Sequence, residues 1–186
     1  MNENKVIVLS VRPEWLYLIM NGKKSVEVRK NATIEWLEFL RGSTELPPEP
    51  IDVYLYCKNG KENLFKNRNG WFVSTEFGCV FSNGKKVEKF NGKVVAKFTL
   101  KNVKRINDGN MYDFLEDSCL TEEQLDNYLF KKGNGGFGWV IDNLVIFDKP
   151  KELGEFIQSK RKNYEEPTIQ KAPQSWCYAF VEVAGL

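Results

Sequence analysis

Four Asn-Gly dipeptides, at Asn59, Asn69, Asn83 and Asn91, fall between residues 59 and 93. Asn-Gly favours the left-handed backbone of the tightest β-hairpin turns. A stretch punctuated this way has no room for a long helix, so short antiparallel strands are expected near residues 71–74 and 79–81. The clearest alternation follows at once, over 93–103. There Val94, Ala96, Phe98 and Leu100 fall on one face, and Lys97, Thr99 and Lys101 on the other.

Further strands are expected over 5–11, 25–30, 52–58, 139–147 and 176–183. Helices are expected over 13–21, 33–41, 121–131 and 150–158. Pro13 suits a first helical turn and Gly22 a C-terminal cap. Thr121 with Gln124 forms a capping-box signal. The glycines of 132–138 read as a flexible connection, because a phosphate-cradling loop follows a strand and opens a helix, and this run does neither. Residues 161–173 read as a loop. The order lacks the regular βαβ alternation of a doubly wound parallel sheet. It fits an α+β fold, a curved or closed, mostly antiparallel β-barrel with short flanking helices. No repeat, low-complexity tract or linker divides the chain, so one domain over 1–186 is expected.

Composition narrows the chemistry. The chain has 186 residues, 13% of them aromatic, enough for a core without disulfide or metal. It has no histidine, which removes the Ser-His and Cys-His nucleophile pairs and imidazole metal ligands. Cys57, Cys79, Cys119 and Cys177 lie far apart, with no Cys-x-x-Cys pair, so no metal site is expected and no cofactor is implied. Nothing at the N-terminus resembles a signal peptide, and no apolar run approaches the ~20 residues that span a bilayer. The expectation is a cytoplasmic protein with free thiols and no membrane partner. Net charge is only +2, but its distribution is uneven. Residues 58–97 hold nine Lys or Arg against three Glu, and residues 110–130 hold six acids and no base. The basic stretch fits either phosphate attraction or a solvated hairpin region.

The most suggestive segment is the strand after the first helix. Val26 and Val28 alternate with Ser25, Glu27 and Arg29. Side chains two apart on one strand face are separated by roughly 6.5–7 Å, so Glu27 and Arg29 can flank one ligand group, and Lys24 at the turn can bend over it. A carboxylate there suits the amino edge of a base, and the cations suit a phosphate. An ordinary surface ion-pair strand has the same pattern. A second segment is Gln174-Ser175-Trp176-Cys177-Tyr178. Gln174 offers a donor and an acceptor, and Trp176 and Tyr178 share a face on which a base can stack. Cys177 points the other way, toward the core. Arg12, at the end of the first strand, Tyr56 and Trp139 are further candidates for a cleft rim or wall.

The run from Val8 to Glu14, the helix, and then Gly22-Lys23-Lys24-Ser25-Val26-Glu27-Val28-Arg29 together resemble the ASCH domain family, whose usual pattern is a helix followed by Gly-x-Lys-x-x-Glu-x-Arg. The strands near 53–57 and 92–98, Gly138-Trp139-Val140-Ile141, and the segment from Pro173 to Tyr178 resemble it in the same order, the last as in phage and bacterial members. Residues 31–50 and 59–89 look like insertions. The resemblance implies a PUA-like fold with a cleft that binds RNA, single-stranded nucleic acid or a modified nucleoside. The site residues it then gathers are Arg12, Lys24, Glu27, Arg29, Tyr56, Trp139, Gln174, Ser175 and Trp176. Some bacterial relatives hydrolyse an acetylated cytidine with a Lys, a Thr and a Glu. Their Lys corresponds to Lys24, but their Thr falls at Glu27, so a hydrolase here, acting on a modified nucleoside or on RNA, would need Lys24 and Glu27 as an acid–base pair. A third alternative is a protein-interaction module using the acidic stretch 113–126.

Overall fold

The computed structural model describes residues 3–67, 70–75, 87–131, 133, 135–158 and 168–182. It divides into two compact units, one of Met1–Asn21, Ile51–Phe98 and Leu144–Leu186, the other of Gly22–Pro50 and Thr99–Asn143. Strands and helices are numbered in chain order.

The first unit holds β1 (Glu3–Val11), α1 (Pro13–Met20), β3 (Ile51–Cys57), β4 (Asn63–Asn67), β5 (Gly70–Ser74), β6 (Glu88–Lys89), β11 (Ile157–Gln158) and β12 (Trp176–Glu182). It also takes most of β7 (Val94–Leu100) and β10 (Asp142–Lys151). Six strands form one mixed sheet in the order β10-β7-β3-β1-β12-β11. β1 pairs parallel with β3 and antiparallel with β12. Residues that alternate along these strands serve opposite faces. Val6, Val8, Tyr54, Tyr56 and Ala179 join Phe156 and Ile169 in one core. A smaller sheet, β5-β4-β6, packs near α1. Its β4–β5 hairpin pairs Asn67 with Gly70, and Asn69 of the Asn-Gly turn expected there lies outside the described residues. The Asn91 amide ties this region together: it accepts from Leu64 N at 2.9 Å and donates to the carbonyls of Lys58 and Glu62.

The second unit holds β2 (Val26–Arg29), α2 (Ile34–Leu40), β8 (Val103–Ile106), α3 (Leu115–Ser118), α4 (Glu122–Leu129) and β9 (Gly136–Val140), with a 3₁₀ turn over Met111–Phe114. Its sheet is antiparallel, in the order β2-β9-β8. Val26, Val28 and Ile106 meet Met111, Phe114, Leu125 and Leu129 on one face. Thr121 and Gln124 form the expected capping box at the start of α4.

Three expectations change. Residues 150–158 are not a helix: β10 runs through Pro150 to Lys151, followed by a 3₁₀ turn over Leu153–Glu155 and then β11. β10 is an edge strand, where the missing N–H of Pro150 need not break a ladder. The single strands expected over 93–103 and 139–147 are each two strands, broken before Val103 and at Ile141. The glycine run 132–138 is only partly a connection, since β9 begins at Gly136. The strand expected near 79–81 lies outside the described residues. Among the described residues, one mixed and two antiparallel sheets with four short α-helices make an α+β fold.

Candidate functional site

Residues 23–25 lead into β2 and are fastened to the end of α3. Ser25 N donates to the Asp117 carbonyl at 2.9 Å, and Ser25 Oγ donates to Asp117 Oδ1 at 2.7 Å. Cys119, whose φ of 54° reverses the chain after α3, donates its Sγ to the Lys23 carbonyl at 3.1 Å. Lys24 Nζ donates to the Ser118 carbonyl at 2.6 Å. A lysine at this carbonyl satisfies an acceptor that the helix itself leaves open.

From that anchor Lys24 Nζ lies 3.4 Å from Glu27 Oε2, and Arg29 Nη2 lies 2.8 Å from Glu27 Oε1. Lys24, Glu27 and Arg29 are 3%, 5% and 8% exposed. The sequence-predicted trio is therefore brought together, but as a buried cluster rather than an open strand face. Two cations and one carboxylate leave a formal charge of +1 beneath the surface. Taking three charges out of water is costly, and their mutual attraction offsets that cost only with close geometry. Ser25, expected on the same face, is exposed and turned to Asp117 instead.

Strand register sets what stands beside the trio. Glu27 is directly opposite Trp139, which is opposite Val103; Arg29 is opposite Phe137, which is opposite Arg105. Directly opposed residues have Cβ atoms about 4.5–5.5 Å apart and share a face. The other face belongs to the core, and two glycines keep it flat. A Cβ on Gly138 would meet Val26 Cγ1 at 2.8 Å and the Phe114 ring at 3.0 Å, and one on Gly136 would meet Leu129 at 2.6 Å. Trp139 is fully buried, Phe137 is half-buried and Arg105 is exposed, so this face opens progressively toward the Arg29 row.

The remaining predicted residues lie in the first unit. Arg12 is exposed and caps α1, its Nη1 3.8 Å from Glu14 Oε1. Tyr56 is packed in the core, and burial pushes its phenol above the usual range. Ser10 holds the approach to β12, with its N–H on the Ser175 carbonyl at 2.8 Å and its Oγ on the Pro173 carbonyl at 2.7 Å. Gln174 between them is exposed. Trp176 meets Tyr178 edge-on at 5.5 Å, and Lys5 Nζ lies 4.0 Å from the centre of the Tyr178 ring. Cys177 packs against the core, as its position in the alternation predicts, and burial raises its thiol. Burial likewise pushes Cys57 up to about 12.

Among the described residues no group of three or more His, Cys, Asp or Glu is placed to hold a metal, and no helix is long and apolar enough to cross a membrane. In the basic stretch, Lys97 Nζ pairs with Asp52 at 2.6 Å and Lys66 Nζ lies 5.1 Å from the Trp71 ring centre. In the acidic stretch, Tyr112 donates to Glu122 Oε1 at 2.8 Å. Sequence reasoning missed the partners Asp117 and Ser118, because no signal marked the turns over 111–118. It also missed Phe137 and Arg105, which only the register of β2, β9 and β8 reveals.

No protein-family model and no curated protein matches this sequence. Solved structures do. The chain is similar to the ASCH protein from Zymomonas mobilis at 15% identity and a TM-score of 0.54, over 92% of this chain and 85% of that one. A Ser-to-Ala mutant of that protein gives 16% and 0.55, over 92% and 86%. A Tyr-to-Phe mutant gives 15% and 0.56, over 94% and 90%. The chain thus has an ASCH-like fold, as its Gly22–Arg29 pattern led us to expect.

Proposed function

We propose that this protein is a PUA-like ASCH module that binds single-stranded RNA or DNA, or a modified nucleoside. The observation that carries the reading is the buried Lys24–Glu27–Arg29 cluster, with its formal charge of +1, in register with Trp139. A carboxylate aligned by two cations accepts from the amino edge of a base, and the surplus positive charge favours a phosphate nearby. Phe137, half-buried on the same sheet face, supplies stacking surface. The ASCH-like fold adds support at the level of the fold alone. The barrel closure and RNA preference that a PUA-like module implies belong to the same proposal.

A hydrolase using Lys24 and Glu27 as acid and base is less well supported. Lys24 Nζ is engaged with the Ser118 carbonyl, and the neighbouring hydroxyl of Ser25 is turned to Asp117.

Fluorescence anisotropy with a labelled single-stranded RNA oligonucleotide tests the binding reading. Lys24→Ala and Arg29→Ala, each checked for folding by circular dichroism, should weaken binding and flatten its dependence on salt. Equal affinity in the wild type and both folded variants at every salt concentration would overturn it.

A further inference from the structure

We infer that the nucleic-acid site extends from the buried cluster across β9 to β8, where Phe137 is a stacking platform and Arg105 a phosphate contact. The ligand this describes is a polynucleotide chain rather than a free nucleoside. The inference rests on the proposed binding function and deepens it.

The argument starts from the pleat. Val28, Gly138 and Lys104 form one cross-strand row, and Val28 belongs to the apolar core, so that row faces the helices. Arg29, Phe137 and Arg105 form the adjacent row and face the other way. Phe137 therefore stands between two guanidinium-bearing residues. Arg29 is committed to Glu27 at 2.8 Å and is almost fully buried. Arg105 differs on both counts: it is exposed, and its side chain makes no ion pair among the described residues. Its backbone is held in place, since the Arg105 carbonyl accepts from Asn110 Nδ2 at 3.0 Å.

A half-buried aromatic ring on a strand, edged by an arginine, offers what a single-stranded chain needs. The ring takes the π-face of any base, and the planar guanidinium takes a phosphate through paired N–H donors. The row Glu27–Trp139–Val103 lies deeper on the same face, with Trp139 fully buried. A base read at Glu27 and a neighbour stacked on Phe137 would follow the gradient of exposure outward, with the backbone reaching Arg105. A free nucleoside has no use for that last contact. Charge complementarity selects a polyanion, because this face carries Arg29 and Arg105 with Glu27 as the one acid among the paired residues of the two rows.

The experiment measures binding of a labelled single-stranded RNA 12-mer, and a DNA 12-mer of the same sequence, to the wild type, Arg105→Ala, Phe137→Leu and Lys104→Ala. Lys104 is the control, equally exposed on β8 but in the opposite row. Phe137→Leu should weaken binding roughly 5- to 150-fold, the loss of one base–aromatic stack. Arg105→Ala should lower the slope of log affinity against log salt by about 0.7, as one lost phosphate contact on a single strand requires. Lys104→Ala should bind as the wild type does. Comparing the two 12-mers tells whether the chain preferred is RNA or DNA. Wild-type binding with Arg105→Ala and Phe137→Leu unchanged would overturn the inference and leave the proposed function standing. Equal losses in Arg105→Ala and Lys104→Ala would also overturn it, as a sign of diffuse charge. No binding of either 12-mer by the wild type would overturn the inference and leave only the nucleoside form of the proposed function standing. Should Phe137→Leu fail to fold, the salt slope of Arg105→Ala decides alone.

Discussion

In the six-stranded sheet the central strands β1 and β3 carry residues 6–9 and 53–57, all buried and nearly all apolar. The one buried polar side chain on those strands is Ser10, and it is matched to the Pro173 carbonyl. The three-stranded sheet of the other unit uses burial differently. Its strand β2 is just as buried, yet two of its four residues are Glu27 and Arg29, and Lys24 is buried beside them. Both sheets have an apolar core against one face, so neither needs charge for cohesion. Replacing a buried ion pair by apolar groups of similar volume is often neutral or stabilising. Three buried charges packed into one short segment thus add little net cohesion, which is the contrast on which the proposed binding role rests.

That contrast is most sharply broken or upheld at Glu27. Glu27→Gln leaves Lys24 and Arg29 buried without their counter-charge, and should cost about 3–5 kcal/mol. The comparison is Asp52→Asn in the first unit, which removes a shorter pair, Lys97–Asp52 at 2.6 Å, whose side chains are about a third exposed. Solvent screening holds that loss to about 0–1 kcal/mol. Urea unfolding of both variants measures the difference. Similar losses would mean that the trio is no more than a structural ion pair and that the contrast between the two sheets carries no functional weight.

Much of this was legible in the chain. The alternation at Val26 and Val28 put Glu27 and Arg29 together, and Thr121 with Gln124 announced α4. Two physical effects hid the rest. Alternation says which residues share a face, not whether that face meets water, so the burial of the trio was invisible. Cross-strand register is non-local: nothing near Arg105 in sequence says that it lies in line with Arg29. The turns over 111–118 were obscured because their acids, Asp113, Glu116 and Asp117, read as a solvated or docking surface. Instead, Asp117 and Ser118 anchor Ser25 and Lys24.

The glycines of β9 are the feature most misread, and they yield the next test. Gly-x-Gly looked like slack chain, but Gly136 and Gly138 alternate with Phe137 and Trp139 because their face lies against Leu129 and Phe114. Gly138→Ala would push a methyl into Val26 and Phe114, an overpacking cost of about 1–3 kcal/mol. Gly154→Ala in the first unit, with nothing within 4 Å of the new Cβ, should stay within about 0.5 kcal/mol. Thermal melts of the two variants check this. Equal shifts would mean that β9 has room on its core face, and would remove the reason for placing Phe137 and Trp139 on the other.

The smallest effect compares carboxylates. Glu27 sits between cations, whereas Glu14 on α1 lies beside another acid, Glu62. Burial raises the Glu14 carboxyl above its free value of 4.5, and Glu62 raises it further, against the lowering pull of backbone hydrogen bonding and Arg12. A group with a raised folded pKa binds its proton more tightly in the folded chain, so protonation favours the fold. That contribution is complete below 4.5 and disappears as pH rises through the folded value. Glu14→Gln cannot ionise. Its stability relative to the wild type should therefore increase between about pH 4 and pH 7. The Glu14 side chain is 31% exposed, so screening keeps the change below about 1 kcal/mol. Urea unfolding at the two pH values reads it directly. A wild type that gains on Glu14→Gln as pH rises would mean that Arg12, 3.8 Å away, and the α1 N-terminus outweigh burial. Glu14 would then behave as a carboxylate stabilised by positive charge, and its contrast with Glu27 would collapse to a difference in depth.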